Sequence, residues 1–341
     1  MAKSKTSLQD SDQQNDLSEA KEQYKKAIAY FNLGMELYDK NDRLGAIDQY
    51  KKAIELNPNL VYAYLYLGVA LYDQNDISGA IEQYKKGIKI NPPKLAFPYF
   101  NLGIALKVQN DLSGAIEQFK KAIGINPDDA DTYFNLGIAL YDQNDISGAI
   151  EQYKKSIQIN PDDADAYFNL GIALYGQNDI SGAIKQYKKA IEINPDDADA
   201  YFNLGIALYD QNDISGAIEQ YKKAIQINPD DAAVLQSLGW VYLLQHKFGE
   251  AEKALLKSWK ISEESSQYPA VNLGHVALFQ NDHKKAITWY QKSLALCEDK
   301  AKFFRGMNSD FMDLKMEEFG ISKSEYDSIL EQLKNEGKQL K

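Results

Sequence analysis

Six asparagines hold one position in this chain. Asn32, Asn101, Asn135, Asn169, Asn203 and Asn272 each stand directly before a Leu-Gly pair. A carboxamide offers a donor and an acceptor together, which matches the backbone of an extended peptide. Asparagine is a mediocre helix former, so a helix does not by itself ask for it. The pattern points to recognition of polypeptide backbone, with a bond to an adjacent loop as the alternative use. Tyr66 and Ser237 take the place in the two remaining units.

Two further rows accompany the amides. Tyr38, Tyr72, Tyr141, Tyr175 and Tyr209 lie four residues after the glycine, on the same side of a helix as the asparagines. Tyrosine gives a large contact area at low entropic cost, though packing between helices would use the same residue. Lys107, Leu243 and Leu278 fill this place elsewhere. Asp131, Asp165 and Asp199 fall near helix starts, where they complement the helix dipole and are candidates for reading basic side chains. Residues 96–231 carry 10 lysines and 21 aspartates or glutamates, the whole of the chain's net charge of −11. Such a surface repels phosphate backbones and anionic membranes and favours a basic or neutral polypeptide.

No catalytic or metal-binding arrangement stands out. The histidines are His246, His275 and His283, and the last two are not spaced i,i+4 with a cysteine cluster. Cys297 is the one cysteine, with no evident activating neighbour. It permits no intrachain disulfide and suggests a reducing, cytoplasmic setting. There is no phosphate-binding glycine loop. No metal or cofactor is expected, and the chain reads as a non-enzyme. Residues 1–16 lack the apolar core of a secretory signal, and no run is long and apolar enough for a membrane span.

The positions of these rows follow from a repeat. Leu-Gly recurs at 33–34, 67–68, 102–103, 136–137, 170–171, 204–205, 238–239 and 273–274, a period of 34 or 35 residues. Within 164–197, Tyr167, Leu170, Gly171 and Leu174 mark one helix face by their i, i+3, i+4, i+7 spacing. Gln177-Asn178-Asp179 breaks that helix, and asparagine tolerates the left-handed backbone of a tight turn. Ile180, Ala183, Ile184, Tyr187, Ala190 and Ile191 mark a second helix, which Asn194-Pro195 ends. Gly171 and Ala183 are small where the helices cross, and Tyr187 fills the space left.

This unit resembles the tetratricopeptide repeat, on Tyr167, Leu170, Gly171, Ala183, Tyr187, Ala190 and Pro195. The near-identical wording of its copies is similar to the long arrays of cyanobacterial proteins. The resemblance implies an all-α, right-handed superhelical solenoid of helix-turn-helix units. Eight units are read at 27–60, 61–95, 96–129, 130–163, 164–197, 198–231, 232–266 and 267–298. It also implies a concave groove lined by the first helix of each unit. In the repeat domain of O-linked N-acetylglucosamine transferases an asparagine ladder at this position binds peptide backbone; the catalytic domain of those enzymes has no counterpart here. The chaperone-tail class clamps a terminal carboxylate with lysine and asparagine. Phe31, Leu65, Phe100, Phe134, Phe168 and Phe202 stand where its first lysine would be, which argues against that mode.

The ends depart from the pattern. Residues 1–14 read as a disordered tail, and 15–30 copy only the second helix of a unit, as a capping half-repeat or a helix continuing to about Tyr38. Asn91-Pro92-Pro93-Lys94 is one residue longer than the other joints and predicts a change of superhelical angle. Leu255 replaces the second-helix aromatic, and Trp240, Trp259 and Trp289 occur only in the last two units. Residues 299–341 are expected to form capping helices, with Ser322 to Glu325 as a capping box and Phe303, Phe304, Phe311, Met312 and Phe319 packed on the last unit. The sequence therefore predicts a scaffold that holds an extended or helical polypeptide in its groove. The rival is an assembly or oligomerisation factor working through its terminal helices.

Overall fold

The computed structural model describes residues 2–90, 94–263 and 265–339, with side chains described between 18 and 335. Within these residues the protein has 18 α-helices, one short 3-10 helix and no strand. The linker Asn91-Pro92-Pro93, where the sequence predicts a change of angle, lies outside the described residues. The chain divides into two compact units, Met1–Ala173 and Leu174–Lys341.

The first unit holds α1 (Ala2–Asp39), α2 (Arg43–Leu56), α3 (Val61–Asp73), α4 (Ile77–Ile90), α5 (Phe97–Val108), α6 (Leu112–Ile125), α7 (Ala130–Asp142), α8 (Ile146–Ile159) and most of α9 (Ala164–Gly176). The second holds the end of α9, then α10 (Ile180–Ile193), α11 (Ala198–Asp210), α12 (Ile214–Ile227), α13 (Ala232–Leu244), α14 (Phe248–Ile261), α15 (Gln267–Phe279), α16 (His283–Leu296), α17 (Lys300–Asp313), the 3-10 turn Met316–Phe319 and α18 (Lys323–Gln339). In the first unit α1 pairs with α2, α3 with α4, α5 with α6 and α7 with α8, in the second α11 pairs with α12, α13 with α14 and α15 with α16, and within each unit these hairpins pack on their neighbours. First helices also touch one another, α3 to α5 and α5 to α7 in one unit, α13 to α15 in the other.

Each hairpin turn is set by two residues. Asn41, Asn75, Asn110, Asn144, Asn178, Asn212 and Asn281 take φ between 62 and 68°, the left-handed region that asparagine tolerates. The aspartate after most of them caps the second helix: Asp145 accepts from the Gly148 amide at 2.9 Å, and Asp213 from Gly216 at 2.9 Å. His246 takes the left-handed place in the seventh repeat, followed by Lys247 without a side-chain cap.

The hairpins close on a glycine and a ring. A Cβ on Gly137 would stand 2.6 Å from Cε1 of Tyr153, and one on Gly205 would stand 2.5 Å from Cε1 of Tyr221. Leu255 fills the same place against Gly239, so an aliphatic side chain serves where the aromatic is missing. Phe119 does so against Gly103. The hydroxyl is therefore dispensable to the packing. That of Tyr50 is buried with no hydrogen-bond partner. Tyr50→Phe is expected to stabilise the first unit by about 1 kcal/mol, by removing an unsatisfied polar group. A thermal melt that falls instead of rising would show that the hydroxyl is bonded.

Side-chain hydrogen bonds also join consecutive repeats. Gln109 Nε2 donates to Ser78 Oγ at 3.2 Å, Gln143 to Ser113 at 3.0 Å and Gln211 to Ser181 at 2.8 Å. At the N-terminal end, α1 is one uninterrupted helix, so residues 15–30 and the first helix of the first repeat are a single element. At the C-terminal end, Ser322 Oγ accepts from the Glu325 amide at 3.2 Å, one half of the expected capping box. The Glu325 carboxylate instead reaches His283 at 3.2 Å.

Candidate functional site

The asparagine row is partly turned onto its own helices. Asn135 Nδ2 donates to the Asp131 carbonyl at 2.9 Å, Asn169 to that of Asp165 at 2.8 Å and Asn203 to that of Asp199 at 2.9 Å. One N–H of each amide is used, which leaves a second N–H and the oxygen. The oxygen of Asn135 also accepts from Lys107 Nζ at 3.2 Å. Burial pushes the Lys107 ammonium below its ordinary value, with Asp142 opposing. Asn101 is half-buried like these three, Asn32 is exposed, and Asn272 is buried.

The carboxylates of Asp131, Asp165 and Asp199 are not the helix caps. That role falls two residues earlier: Asp163 accepts from the Ala166 amide at 3.1 Å, and Asp197 from those of Asp199 and Ala200 at 3.0 and 3.1 Å. Asp131, Asp165 and Asp199 stay exposed in the first turn, beside the carbonyls that hold the asparagines. The structure thus gathers one aspartate and one asparagine on each of α7, α9 and α11.

The tyrosine row joins repeats. Tyr38 Oη donates to Asp73 of the next repeat at 2.5 Å, and Tyr175 Oη donates to Asp210. Burial and that bond push the Tyr175 hydroxyl up to about 12. Tyr209 Oη accepts from Trp240 Nε1 at 3.0 Å. Tyr141 is half-buried. The phenylalanines at the clamp position pack on second-helix rings, Phe134 on Tyr153 at 5.9 Å and Phe202 on Tyr221 at 5.8 Å.

In the second unit the first-helix face is occupied. Helix α17 meets α15 through Asp310 and His275, and with residues of α13, α15 and α16 it bounds an open-sided cavity of about 590 Å³. Its walls include Trp240, Val271 and Asn272 from the repeats and Phe303, Gly306 and Met307 from α17. Asn272 is 5% exposed beneath this cover. Trp240 and His275 directly follow the Leu-Gly glycine, where the earlier repeats carry Met35, Val69, Ile104, Ile138, Ile172 and Ile206. That break was the signal in the sequence for a different use of the face. His275 is fully buried, with Nδ1 at 2.8 Å from Tyr290 Oη and Nε2 at 3.0 Å from the Asp310 carboxylate of α17.

The other histidines serve the same segment. His246 stacks on Phe319 with ring centroids 3.7 Å apart, and burial lowers its pKa. His283 meets Glu325 of α18. The aromatic cluster before α18 is therefore split. Phe303 and Phe311 are buried, Phe319 packs both on Phe279 of the last unit and on His246 in the seventh repeat's turn, and Met312 is 71% exposed. Among the described residues no group of three His, Cys, Asp or Glu could hold a metal ion, and no helix is long and apolar enough to cross a membrane.

A family profile described as TPR repeat matches residues 34–75, 105–143, 139–178, 173–212 and 206–245, more than half of the chain. Two described as tetratricopeptide repeat match 61–94 and 270–300. Among curated proteins none gives a significant match. Among solved structures, YrrB, a TPR protein with an unusual peptide-binding site, is 26% identical with a TM-score of 0.50. The match covers 55% of this chain and 96% of that one. MamA protein is 33% identical with a TM-score of 0.48, over 51% of this chain and 94% of that one. A MamA structure from Desulfovibrio magneticus RS-1 is 21% identical with a TM-score of 0.47, over 50% and 95%.

Proposed function

The chain belongs to the tetratricopeptide repeat family, and from that premise we propose that it is a non-catalytic scaffold that binds a polypeptide segment on its first-helix faces. The observation that carries this reading is α17, a helix of the chain itself that meets the first helix α15 through Asp310 and His275 and shares a cavity with α13. A surface that holds one amphipathic helix has the shape and apolarity to hold another. The likeness to YrrB, whose peptide-binding site is a property of that protein, supports the same reading. The free N–H and oxygen of Asn169 and Asn203 suit an extended backbone, and the exposed Asp131, Asp165 and Asp199 suit a basic or neutral partner. The single cysteine fits a cytoplasmic setting, and the acidic surface disfavours nucleic acid.

The test is the variant Asn135→Ala, Asn169→Ala, Asn203→Ala in the full chain. Alanine is the better helix former, so the helices should not suffer. Three lost bonds of about 1 kcal/mol each correspond to roughly a hundredfold weaker capture of a bound polypeptide. The partner is captured on the immobilised wild type, identified by mass spectrometry and titrated against both chains. Equal affinity for the two would remove the asparagines from the site.

One observation favours a second reading, assembly through the termini. The words SEAKEQYKKAI in α1 copy a second helix, yet Tyr24 is 53% exposed where Tyr153 is 1% exposed. Light scattering with residues 1–26 removed separates the two: loss of an oligomer would place function there.

A further inference from the structure

The asparagine row changes character at α15. Asn135, Asn169 and Asn203 each bond back to the carbonyl four residues earlier. Asn272 does not. At 5% exposure it is the most buried member of the row, yet its carboxamide has no hydrogen-bond partner among the described residues. Buried polar groups are nearly always bonded, because one left alone bears its full desolvation cost. Asn272 lines the cavity of about 590 Å³ described above. Gln267 lines it too, and its Oε1 is likewise buried and unbonded. Two unpartnered amides on one wall mark a place built to meet a polar group. The rest of the wall indicates its size and charge. A water takes about 30 Å³ in the liquid, so one bridging water does not account for this volume. Organic ligands occupy pockets of roughly 300–1,000 Å³, mostly apolar with a few fixed polar groups. Trp240, Val271 and Phe303 supply the apolar part. Lys302 and Arg305, one helical turn apart and both exposed, supply positive charge. Arg305 meets the Asp299 carboxylate only at 3.8 Å. The one carboxylate of the wall, Asp310, is engaged by His275 at 3.0 Å.

We infer that this cavity is a small-molecule site for an N-acyl amino acid with an aromatic side chain. The ring packs against Trp240 and Phe303, whose faces and edges suit another ring. The acyl carbonyl accepts from Asn272 Nδ2. The amide N–H donates to Gln267 Oε1 once that carboxamide turns about its terminal torsion, which is soft in glutamine. The carboxylate meets Lys302 and Arg305 in charge-assisted bonds. An amino acid or dipeptide with a free ammonium is disfavoured, because the wall has no unengaged carboxylate to receive it. Asn272 then serves this pocket rather than a row of polypeptide contacts. The site does not depend on the scaffold reading, which stands on Asn135, Asn169 and Asn203.

The experiment titrates N-acetyl-L-phenylalanine into the full chain by isothermal calorimetry. Saturable binding with a Kd on the order of 0.1 mM is expected for a ligand of this size. N-acetyl-L-phenylalaninamide, which lacks the carboxylate, and phenylpropionate, which lacks the amide, should each bind about tenfold more weakly. Asn272→Ala should weaken N-acetyl-L-phenylalanine about tenfold without lowering the melting temperature, since this side chain gives up no bond and alanine is the better helix former. Lys302→Gln with Arg305→Gln, both on the surface and safe for folding, should erase the advantage of the acid over its amide. A chain end carries the same groups, so phenylalanine preceded by four glycines and an acetyl cap is titrated as well. It is expected to bind no more tightly than N-acetyl-L-phenylalanine. Tighter binding would assign the site to a polypeptide terminus and overturn the small-molecule inference. Equal affinities for acid and amide, unchanged binding by Asn272→Ala, or no saturable heat from any of these ligands would overturn it also. None of these outcomes bears on partner capture by Asn135, Asn169 and Asn203, so failure here is distinct from failure of the scaffold reading.

Discussion

Taken from pH 9 to pH 11, each compact unit of this chain is expected to lose about 4 kcal/mol of stability from three of its buried tyrosines, whose ionisation opposes folding. In the first unit these are Tyr50, Tyr84 and Tyr153, and in the second Tyr221, Tyr290 and Tyr326. All six are 2% exposed or less. Burial pushes the Tyr50 hydroxyl up to about 12 and raises the other five as well. A hydroxyl with a raised folded pKa gives its stabilisation in full below the unfolded value near 10. It loses that stabilisation as pH climbs toward the folded value. The window is therefore pH 10 to 12, where the unfolded chain ionises and the folded one does not. Each such tyrosine costs about 1.4 kcal/mol at pH 11. Circular dichroism at 222 nm should fall in step with phenolate absorbance at 295 nm. Replacing Tyr50, Tyr84 and Tyr153 by phenylalanine should move the alkaline midpoint of the first unit upward, since Phe119 already fills the same place. Six tyrosines titrating near pH 10 with the helices intact would sink the argument.

The second large effect concerns a single methyl group. Gly137→Ala is expected to destabilise the first unit by about 2 kcal/mol, and Gly137→Leu by more than 3 kcal/mol. The added Cβ meets Cε1 and Cδ1 of Tyr153 at 2.6 and 2.7 Å, and that ring is 1% exposed, with no room to retreat. Gly124→Ala, in α6 of the same unit, should instead be neutral or stabilising by up to about 1 kcal/mol, because its Cβ meets nothing and alanine is the better helix former. Denaturant melts of the two alanine variants measure the contrast. Equal and small effects would mean that the hairpin can open without cost and that the glycine is not its closing point.

Both effects were visible in outline from the residues alone, and it is instructive where that outline stopped. The hairpins were legible because one repeat contains its own code: Gly171, Ala183 and Tyr187 are complementary sizes at a fixed spacing, and Asn178 can turn left-handed. What joins one repeat to the next was not legible. The bond from Gln143 to Ser113 and that from Tyr38 to Asp73 pair residues 30 and 35 apart, and either partner looks like an ordinary polar surface residue when a single repeat is read. The candidate site was legible as a row of positions but not as an orientation. A side-chain amide on a helix can bond outward or back to its own carbonyl, and Asn135, Asn169 and Asn203 do the latter with one hydrogen. The path of α17 was hidden for a different reason. Its apolar spacing says that one face is buried but not against which neighbour. Only the exchange of isoleucine for Trp240 and His275 hinted at a surface already in use.

The glutamine–serine contacts have a mechanical meaning. Within a hairpin, a ring is locked against a glycine. Between hairpins, along this edge, exposed hydrogen bonds such as that from Gln211 to Ser181 add to the packing of one hairpin on the next. Such elements lie in series along the chain, so a pull on the two ends passes through every junction and loads the weakest first. Under tension, each of the two units should therefore lengthen by parting at its seams before any hairpin unravels. Its repeats would act as stiff links on compliant joints.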